Sequence, residues 1–408
     1  MPSPPLHRLE FCNFKLDLLL NITLTINKNL SIEKILTQFE DILHNDLNIG
    51  KIAIYKYNRK WECIRYSGVH HNIIGGIHVE TDLLYYKQIT NLSVTLNSNL
   101  EVFDVIIPIY HDNTPVAYIL IGDIDEERVG ISPTIKHLYF IQTLANIIIV
   151  AIENKRLFNE SIKQEAIKKE LELASRMQNM LIPNPTKLPN NDKLHVAAYY
   201  LPHFDVGGDY YDFIKLNNKE YGFCMADVSG KGISAALLMS NFQANVRALF
   251  SANLSLKETI NKLNDRVMEN ANGEKFITIF IGKYNTETHE LEYINAGHNP
   301  PLFFNKKDNK IIYLTEGSTG VGMLDEMPFI NTNKITTKQG DKLICYTDGI
   351  VELENEKNIE FGTKKMEKQI SNNNNINIII DDIINELTIH KGQKDFFDDI
   401  SIMGIEFY

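Results

Sequence analysis

The sequence predicts an α+β protein made of two folded parts joined by a long helix. Three observations carry this expectation. At 408 residues the chain exceeds what one ordinary core accommodates, so two domains are expected. Residues 153–180 contain neither Gly nor Pro and are dense in charge, the pattern of one unbroken solvated helix. On both sides of that stretch, short runs of strand character alternate with amphipathic helical runs.

In the first part, residues 1–153, Asn29-Leu-Ser31-Ile-Glu33 is a helix start ahead of Ile32, Ile35, Leu36, Phe39, Ile42 and Leu43 on one face. Strand runs follow at 51–57, 102–110 and 116–121, with Asp112-Asn113-Thr-Pro115 as the hairpin turn between the last two. A helix over 135–153 closes a helix–sheet–helix layout. Residues 154–189 form the connection. Ile167, Ala174 and Leu181 recur at seven with Leu171 interleaved, while Gln164 and Gln178 spoil the other interleaved positions. A weak coiled coil and a solvated spacer helix both fit. Pro183-Asn-Pro185 and Pro189-Asn-Asn end it.

The last part, residues 190–408, shows strands at 196–200, 210–216, 221–226, 276–284, 291–295, 342–346 and 401–407. Two helices interrupt them. One follows Ser229-Gly-Lys-Gly, with Ala235, Met239, Phe242, Val246 and Leu249 on one face. The other starts at the capping box Ser255-Leu-Lys-Glu258 and ends near Gly273. An Asn-rich loop at 372–375 precedes a final helix over 376–387. Sequential strands around a helix pair imply packed antiparallel sheets with helices outside.

Composition narrows the function. A net charge of −11 and a pI near 5.6 leave no basic face for nucleic acid or an anionic membrane. Cys12, Cys63, Cys224 and Cys345 are scattered, which excludes a zinc ribbon and suggests buried, inert thiols in a reducing compartment. The histidines show no metal-ligand spacing, and adjacent His70-His71 point apart on any regular element. Met-Pro-Ser-Pro-Pro-Leu-His lacks a secretory pattern and no apolar run spans a bilayer, so a cytoplasmic protein is expected.

Four aspartates stand where packing does not want them: Gly-Gly-Asp209, Ala-Asp227-Val-Ser-Gly, Tyr-Thr-Asp348-Gly and Asp398-Asp399-Ile-Ser, each at a strand end. Singly, each reads as a turn or cap residue. Brought together they would repel unless a hard cation neutralised them, and phosphate chemistry is the natural use of such a site. The chain has no Cys-x5-Arg loop, no nucleophile elbow and no Walker-type loop, so a protein nucleophile is not expected. Gly207 and Gly208 allow close backbone approach, and Gly349 lets the chain turn away after Asp348. Asp212 reads as a turn residue, His298 as a loop histidine beside Pro300-Pro301 rather than a general acid, and Lys231 as solvated.

These stretches resemble the SpoIIE/RsbU-type serine/threonine phosphatases of the metal-dependent PP2C superfamily. The matching motifs are Val206-Gly-Gly-Asp-Tyr-Tyr-Asp-Phe213, Ala226-Asp-Val-Ser-Gly-Lys-Gly232, Asn295-Ala-Gly-His-Asn-Pro-Pro301, Tyr346-Thr-Asp-Gly-Ile350, Phe361-Gly and Asp398-Asp-Ile-Ser401, in the family's order over 170–408. The resemblance implies an α-β-β-α sandwich and hydrolysis of a phosphoester by water activated between two Mn²⁺ or Mg²⁺ ions. It makes Asp227 the bridging carboxylate, Asp209 and the Val228 carbonyl ligands of one ion, and Asp348 with Asp398 ligands of the other. Asp399 is the alternative in the last place. Asp227, Asp209 and Asp348 are then the catalytic set. Ala226 departs from the commoner Gly, and Gly317-Ser-Thr-Gly-Val-Gly-Met matches the family's Gly-rich loop only loosely.

The stretch Glu172-Leu-Ala-Ser-Arg-Met-Gln-Asn-Met-Leu-Ile-Pro183 is similar to the family's switch helix, and the first part resembles a GAF sensor domain. By resemblance the substrate is a phosphorylated regulator, an anti-sigma-factor antagonist of the STAS type. The protein is then a homodimer, and the sensor either takes a small-molecule ligand or only dimerises. The rival reading is a catalytically silent phosphatase fold that sequesters a phosphoprotein. A phosphotransferase lacks any nucleotide loop.

Overall fold

The computed structural model describes residues 4–28, 30–92, 98–111, 113–124, 133–203 and 206–408. Asn29 of the expected helix start and Asp112 of the expected turn lie outside them. The chain divides into two compact units, Met1–Glu165 and Ala166–Tyr408.

The first unit runs α1 (Pro4–Asn27), α2 (Ile32–Asp41), β1 (Ile49–Asn58), β2 (Lys60–Ser67), α3 (His71–Gly75), α4 (Val79–Asp82), β3 (Thr90–Asn91), β4 (Val105–His111), β5 (Thr114–Ile124) and α5 (Pro133–Asn179). Its sheet has the order β2-β1-β5-β4-β3 and is antiparallel throughout. Ser31 caps α2 as its sequence position suggests, accepting from the Lys34 amide. Strand alternation sorts β1 between two cores. Ile52 and Ile54 join the helix-covered core with Phe39, Ile141, Leu144 and Ile148, whereas Ala53 and Tyr55 join a second core with Leu83, Phe103 and Tyr118.

The expected helix over 135–153 and the Gly-free stretch after it are one element of 47 residues. At 1.5 Å per residue it is about 70 Å long. It stops before Ile182 and Pro183, whose ring removes the next backbone donor.

The second unit continues with β6 (Leu194–Leu201), β7 (Tyr210–Lys215), β8 (Glu220–Val228), α6 (Ile233–Leu249), α7 (Leu256–Ala271), β9 (Ile277–Asn285), β10 (Glu290–Ala296), β11 (Leu302–Asn305), β12 (Lys310–Tyr313), β13 (Gly317–Ser318), β14 (Asn333–Thr336), β15 (Lys342–Tyr346), α8 (Asp348–Val351), α9 (Lys364–Ile370), α10 (Ile376–Lys391) and β16 (Ile400–Phe407). One sheet has the order β13-β10-β9-β8-β7, with β14 also paired to β10; the other is β12-β11-β15-β16-β6. A single core holds Phe223 and Phe280 of the first sheet, Val196, Leu343 and Ile405 of the second, and Met239, Phe242, Ile260 and Leu263 of α6 and α7. A further core packs Ile344 and Ile402 on Ile379, Ile380 and Ile383 of α10. The layers are therefore helix, sheet, sheet, helix, as expected. The capping box at α7 is complete, Ser255 and Glu258 each bonding the other's backbone amide.

Two expectations need correction. Of the four thiols only Cys224 and Cys345 are buried; Cys63 is half-buried and Cys12 is exposed. Burial raises the Cys224 and Cys345 thiols far above their usual range, and Cys63 to about 11. Asp212 is no turn residue: it lies inside β7, fully buried. Among the described residues no helix is long and apolar enough to cross a membrane.

Candidate metal centre

The aspartates meet where the two sheets of the second unit end side by side. Asp209 enters β7, and because Tyr210 pairs with Ala226, it lies next to Asp227 at the end of β8. Asp348 opens α8 straight after β15, and Asp398-Asp399 precede β16, whose Ile402 pairs with Tyr346 of β15. The two ladders are stitched at this point. Thr347 Oγ1 and Ser401 Oγ both donate to Asp209 Oδ2, at 2.8 and 2.5 Å.

Asp399 has a distinct task. Its Oδ1 accepts from the His203 amide at 2.7 Å, and its Oδ2 from the amides of Gly208 and Asp209 at 2.6 and 3.3 Å. This carboxylate anchors the Gly-Gly-Asp loop through charge-assisted bonds. Two glycines make the packing possible. A Cβ on Gly208 would stand 3.1 Å from the Val228 carbonyl oxygen and 3.5 Å from Asp227 Oδ1. A Cβ on Gly349 would overlap the Asp399 carbonyl oxygen. The need at Gly349 is therefore space, since its φ is not positive and Asp348 begins a helical turn.

Electrostatics report the crowding. Asp209 is 2% exposed, and burial followed by repulsion from Asp227 and Asp399 raises its pKa well above the carboxylate range. Burial, then Asp348, Asp398 and Asp399, push Asp227 up to about 7. Asp348 is raised by burial and by Asp398. Among the described residues Lys231 is the cation paired with the cluster. It is not merely solvated: its Nζ lies 2.8 Å from Asp398 Oδ2 and donates to the Phe397 carbonyl at 2.6 Å, with half its side chain in solvent. One ammonium does not balance five carboxylates.

Among the described residues no three His, Cys, Asp or Glu side chains form a ready-made metal cage. The donor set nonetheless fits a hard divalent ion. It is all oxygen, it carries surplus negative charge, and a backbone carbonyl stands beside it across a glycine.

Residues that sequence reasoning passed over complete the surroundings. Gln178, a flaw in the heptad and a member of the switch-helix stretch, is 5% exposed and grips Gly207 at both ends: Nε2 donates to the Gly207 carbonyl at 2.7 Å, and the Gly207 amide donates to Oε1 at 3.0 Å. The signal was present, since a glutamine at a would-be seam position just before Pro183 needs a polar partner. Thr347 and Ser401 lie inside quoted motifs but are given no role there. His298 lies in the loop after β10, as its position suggests, and is buried there. Its amide donates to Asn295 Oδ1, its Nδ1 lies 3.0 Å from Thr278 Oγ1, and burial lowers the ring's pKa to about 4. Among the described residues its Nε2 has no hydrogen-bond partner, and the Tyr346 backbone works against burial by raising the ring's pKa in part. Asp212 faces away from the cluster into a pairing with Arg247 and Tyr210.

A buried aspartate cluster at the common edge of two stacked, mainly antiparallel sheets, flanked by helix pairs, defines a PP2C-like fold. Residues 217–408 match the family model described as Stage II sporulation protein E (SpoIIE), a similarity that covers just under half of the chain. The phosphoserine phosphatase RsbU of Bacillus subtilis (strain 168) is 32% identical over 193 residues, 47% of this chain and 56% of that protein. The phosphoserine phosphatase RsbP of the same strain is 27% identical over 189 residues, 45% and 46% of the two chains. The chain thus spans about half the length of the curated relatives it matches. Among solved structures, the SiaA-PP2C domain of Pseudomonas aeruginosa superposes with a TM-score of 0.53 at 17% identity, covering 60% of this chain and 99% of that one, which establishes the shared fold.

Proposed function

We propose that this chain is a metal-dependent phosphoserine/phosphothreonine protein phosphatase of bacterial signalling, controlled by its N-terminal unit. The observation that carries the reading is the surplus of buried carboxylate at the sheet edge, which the protein leaves without enough cations of its own. Asp209, Asp227, Asp348, Asp398 and the Val228 carbonyl are the residues that would hold Mn²⁺ or Mg²⁺. When bound, the ions supply charge neutralisation for a phosphoryl group and an acidified water.

The chain's own residues do the rest. Thr347 and Ser401 fix one oxygen of Asp209, leaving the other available. Asp399 and Gln178 hold the Gly207-Gly208 backbone from two sides, so the loop that carries Asp209 is set before any ion arrives. Of the adjacent pair we take Asp398 as the metal carboxylate: Asp399 holds three amides of the loop, whereas Asp398 accepts one amide, from Asp399, and a half-exposed Lys231 ammonium that an arriving ion can displace.

The relatives named phosphoserine phosphatases support a phosphorylated regulatory protein as substrate. We take its finer identity to be a STAS-type anti-sigma-factor antagonist, with the first unit as a GAF-like sensor, residues 154–189 as linker and switch helix, and a homodimer as the working form. The test is hydrolysis of p-nitrophenyl phosphate and of a phosphoserine peptide with Mn²⁺. Activity is expected in the native chain and its loss in Asp227→Asn, with circular dichroism unchanged. A folded native chain inert with Mn²⁺, and with Mg²⁺ in its place, would instead be a silent binding module.

A further inference from the structure

The first unit holds a cavity of about 540 Å³ on the helix-covered side of its sheet, between the β1, β4 and β5 strand ends and α5. That volume lies in the range of small-molecule sites. Its walls differ in chemistry. One is aliphatic, formed by Ile109, Ile149 and Val150, where the core side chains run out.

The other wall is ionic. Lys56 follows Ile52 and Ile54 on the core face of β1 and is only 6% exposed. Its ammonium donates to Glu153 Oε2 at 2.6 Å, and Glu153 also accepts from Arg156 at 2.6 and 3.0 Å. Arg156 reaches on to Glu160 at 3.1 Å. Arg59, held at φ +62° in the turn after β1, lines the same cavity and forms no ion pair among the described residues.

A buried lysine where an aliphatic residue would close the core is a costly way to finish a sheet. Three permanent cations face two carboxylates here, and one cation is unspent. We infer that this cavity is a binding site for an amphipathic organic anion: a carboxylate, sulfonate or phosphate on an apolar or aromatic body. The acid group meets Arg59 and Arg156, and the body lies on Ile109, Ile149 and Val150. The inference gives a site and a ligand class to the sensor reading. Its regulatory meaning rests on that reading, but its geometry does not.

The test uses the full chain and two fluorescent probes, 8-anilinonaphthalene-1-sulfonate and its uncharged relative N-phenyl-1-naphthylamine. Saturable binding of one sulfonate probe per chain is expected, tighter than that of the neutral probe. Arg59→Gln lies on an exposed turn and leaves the fold intact. It should weaken the sulfonate about fivefold, as expected for losing one partly exposed charge contact, and leave the neutral probe within twofold. Val150→Asp should weaken both probes. Equal affinity for the two probes, or sulfonate binding indifferent to Arg59→Gln, overturns the assignment. So does an affinity that falls tenfold as protein concentration rises, since a second copy then covers the cavity. A chain that binds the sulfonate in this way but hydrolyses no phosphoester supports the site and overturns only the enzymatic reading.

Discussion

Asp209 and Asp212 sit three residues apart, at 2% and 0% exposure, in the same short stretch entering β7. Asp212 is answered completely. Arg247 brings Nε and Nη2 to its two oxygens at 2.8 and 3.2 Å, the Tyr210 hydroxyl donates at 2.5 Å and the Phe213 amide at 2.9 Å. Asp209 receives two neutral hydroxyls and the field of further carboxylates. A buried charge with its counter-ion built in serves the fold, whereas one left without a counter-ion stores repulsion that only an external cation relieves. The contrast separates structural from functional acid more sharply than burial does, since both are equally buried.

Substituting the two residues in parallel breaks or sharpens this contrast most strongly. Asp209→Asn should lower the Mn²⁺-dependent rate about a thousandfold, several kcal/mol of lost charge stabilisation, while the melting temperature of the metal-free protein holds or rises. Asp212→Asn should cost about 2–4 kcal/mol in urea unfolding, below the full value for a broken buried pair because Arg247 is half-exposed. Equal destabilisation by both would erase the distinction. Next in size, Mn²⁺ at a hundred times its dissociation constant should stabilise the native chain by about 2.7 kcal/mol, and Asp209→Asn should lose most of that gain in a thermal-shift titration.

Gln178→Ala tests whether the support of Asp209 extends beyond its own hydroxyl partners. It leaves the Gly207 amide and carbonyl unpaired, and a tenfold to hundredfold fall in rate with weaker Mn²⁺ binding is expected. An unchanged metal affinity would confine Gln178 to helix packing.

The smallest effect belongs to a balanced charge in the other unit. Arg156 first, and then Lys56, hold the Glu153 carboxyl down at about 2 from the usual 4.5. A depressed acid contributes stability that is complete above pH 4.5 and is lost as pH falls toward 2. Acid unfolding followed by Trp61 fluorescence should show this slope, and Glu153→Gln should flatten it.

The layered architecture of both units was legible because period-2 and period-3.6 patterns survive wherever one face is buried, as in β8 and α7. The helices α1 and α9, the one-turn helices, β2, whose residues are all partly exposed and show no buried face, β3 and the strands β11 to β14 were not. Strands β3 and β11 to β14 are two to four residues long, too short to show a period, and α1 places apolar Leu16, Leu20 and Leu24 in solvent. At the site, the aspartates announced themselves by sitting beside glycines at strand ends. Asp212 misled because its counter-ion is 35 residues away, and a sequence motif carries no record of a partner on another element. Gln178 showed that it needs a polar partner, but not that the partner is Gly207, 29 residues on.

The uneven burial of the thiols has a practical use. Cys224 and Cys345 are sealed in the second unit and Cys63 is half-covered, while Cys12 on α1 is open to solvent. A maleimide dye added to the native protein should therefore attach first at Cys12, giving a label remote in sequence from the aspartate cluster without engineering. Motions of the N-terminal unit then become visible by fluorescence in the unaltered chain.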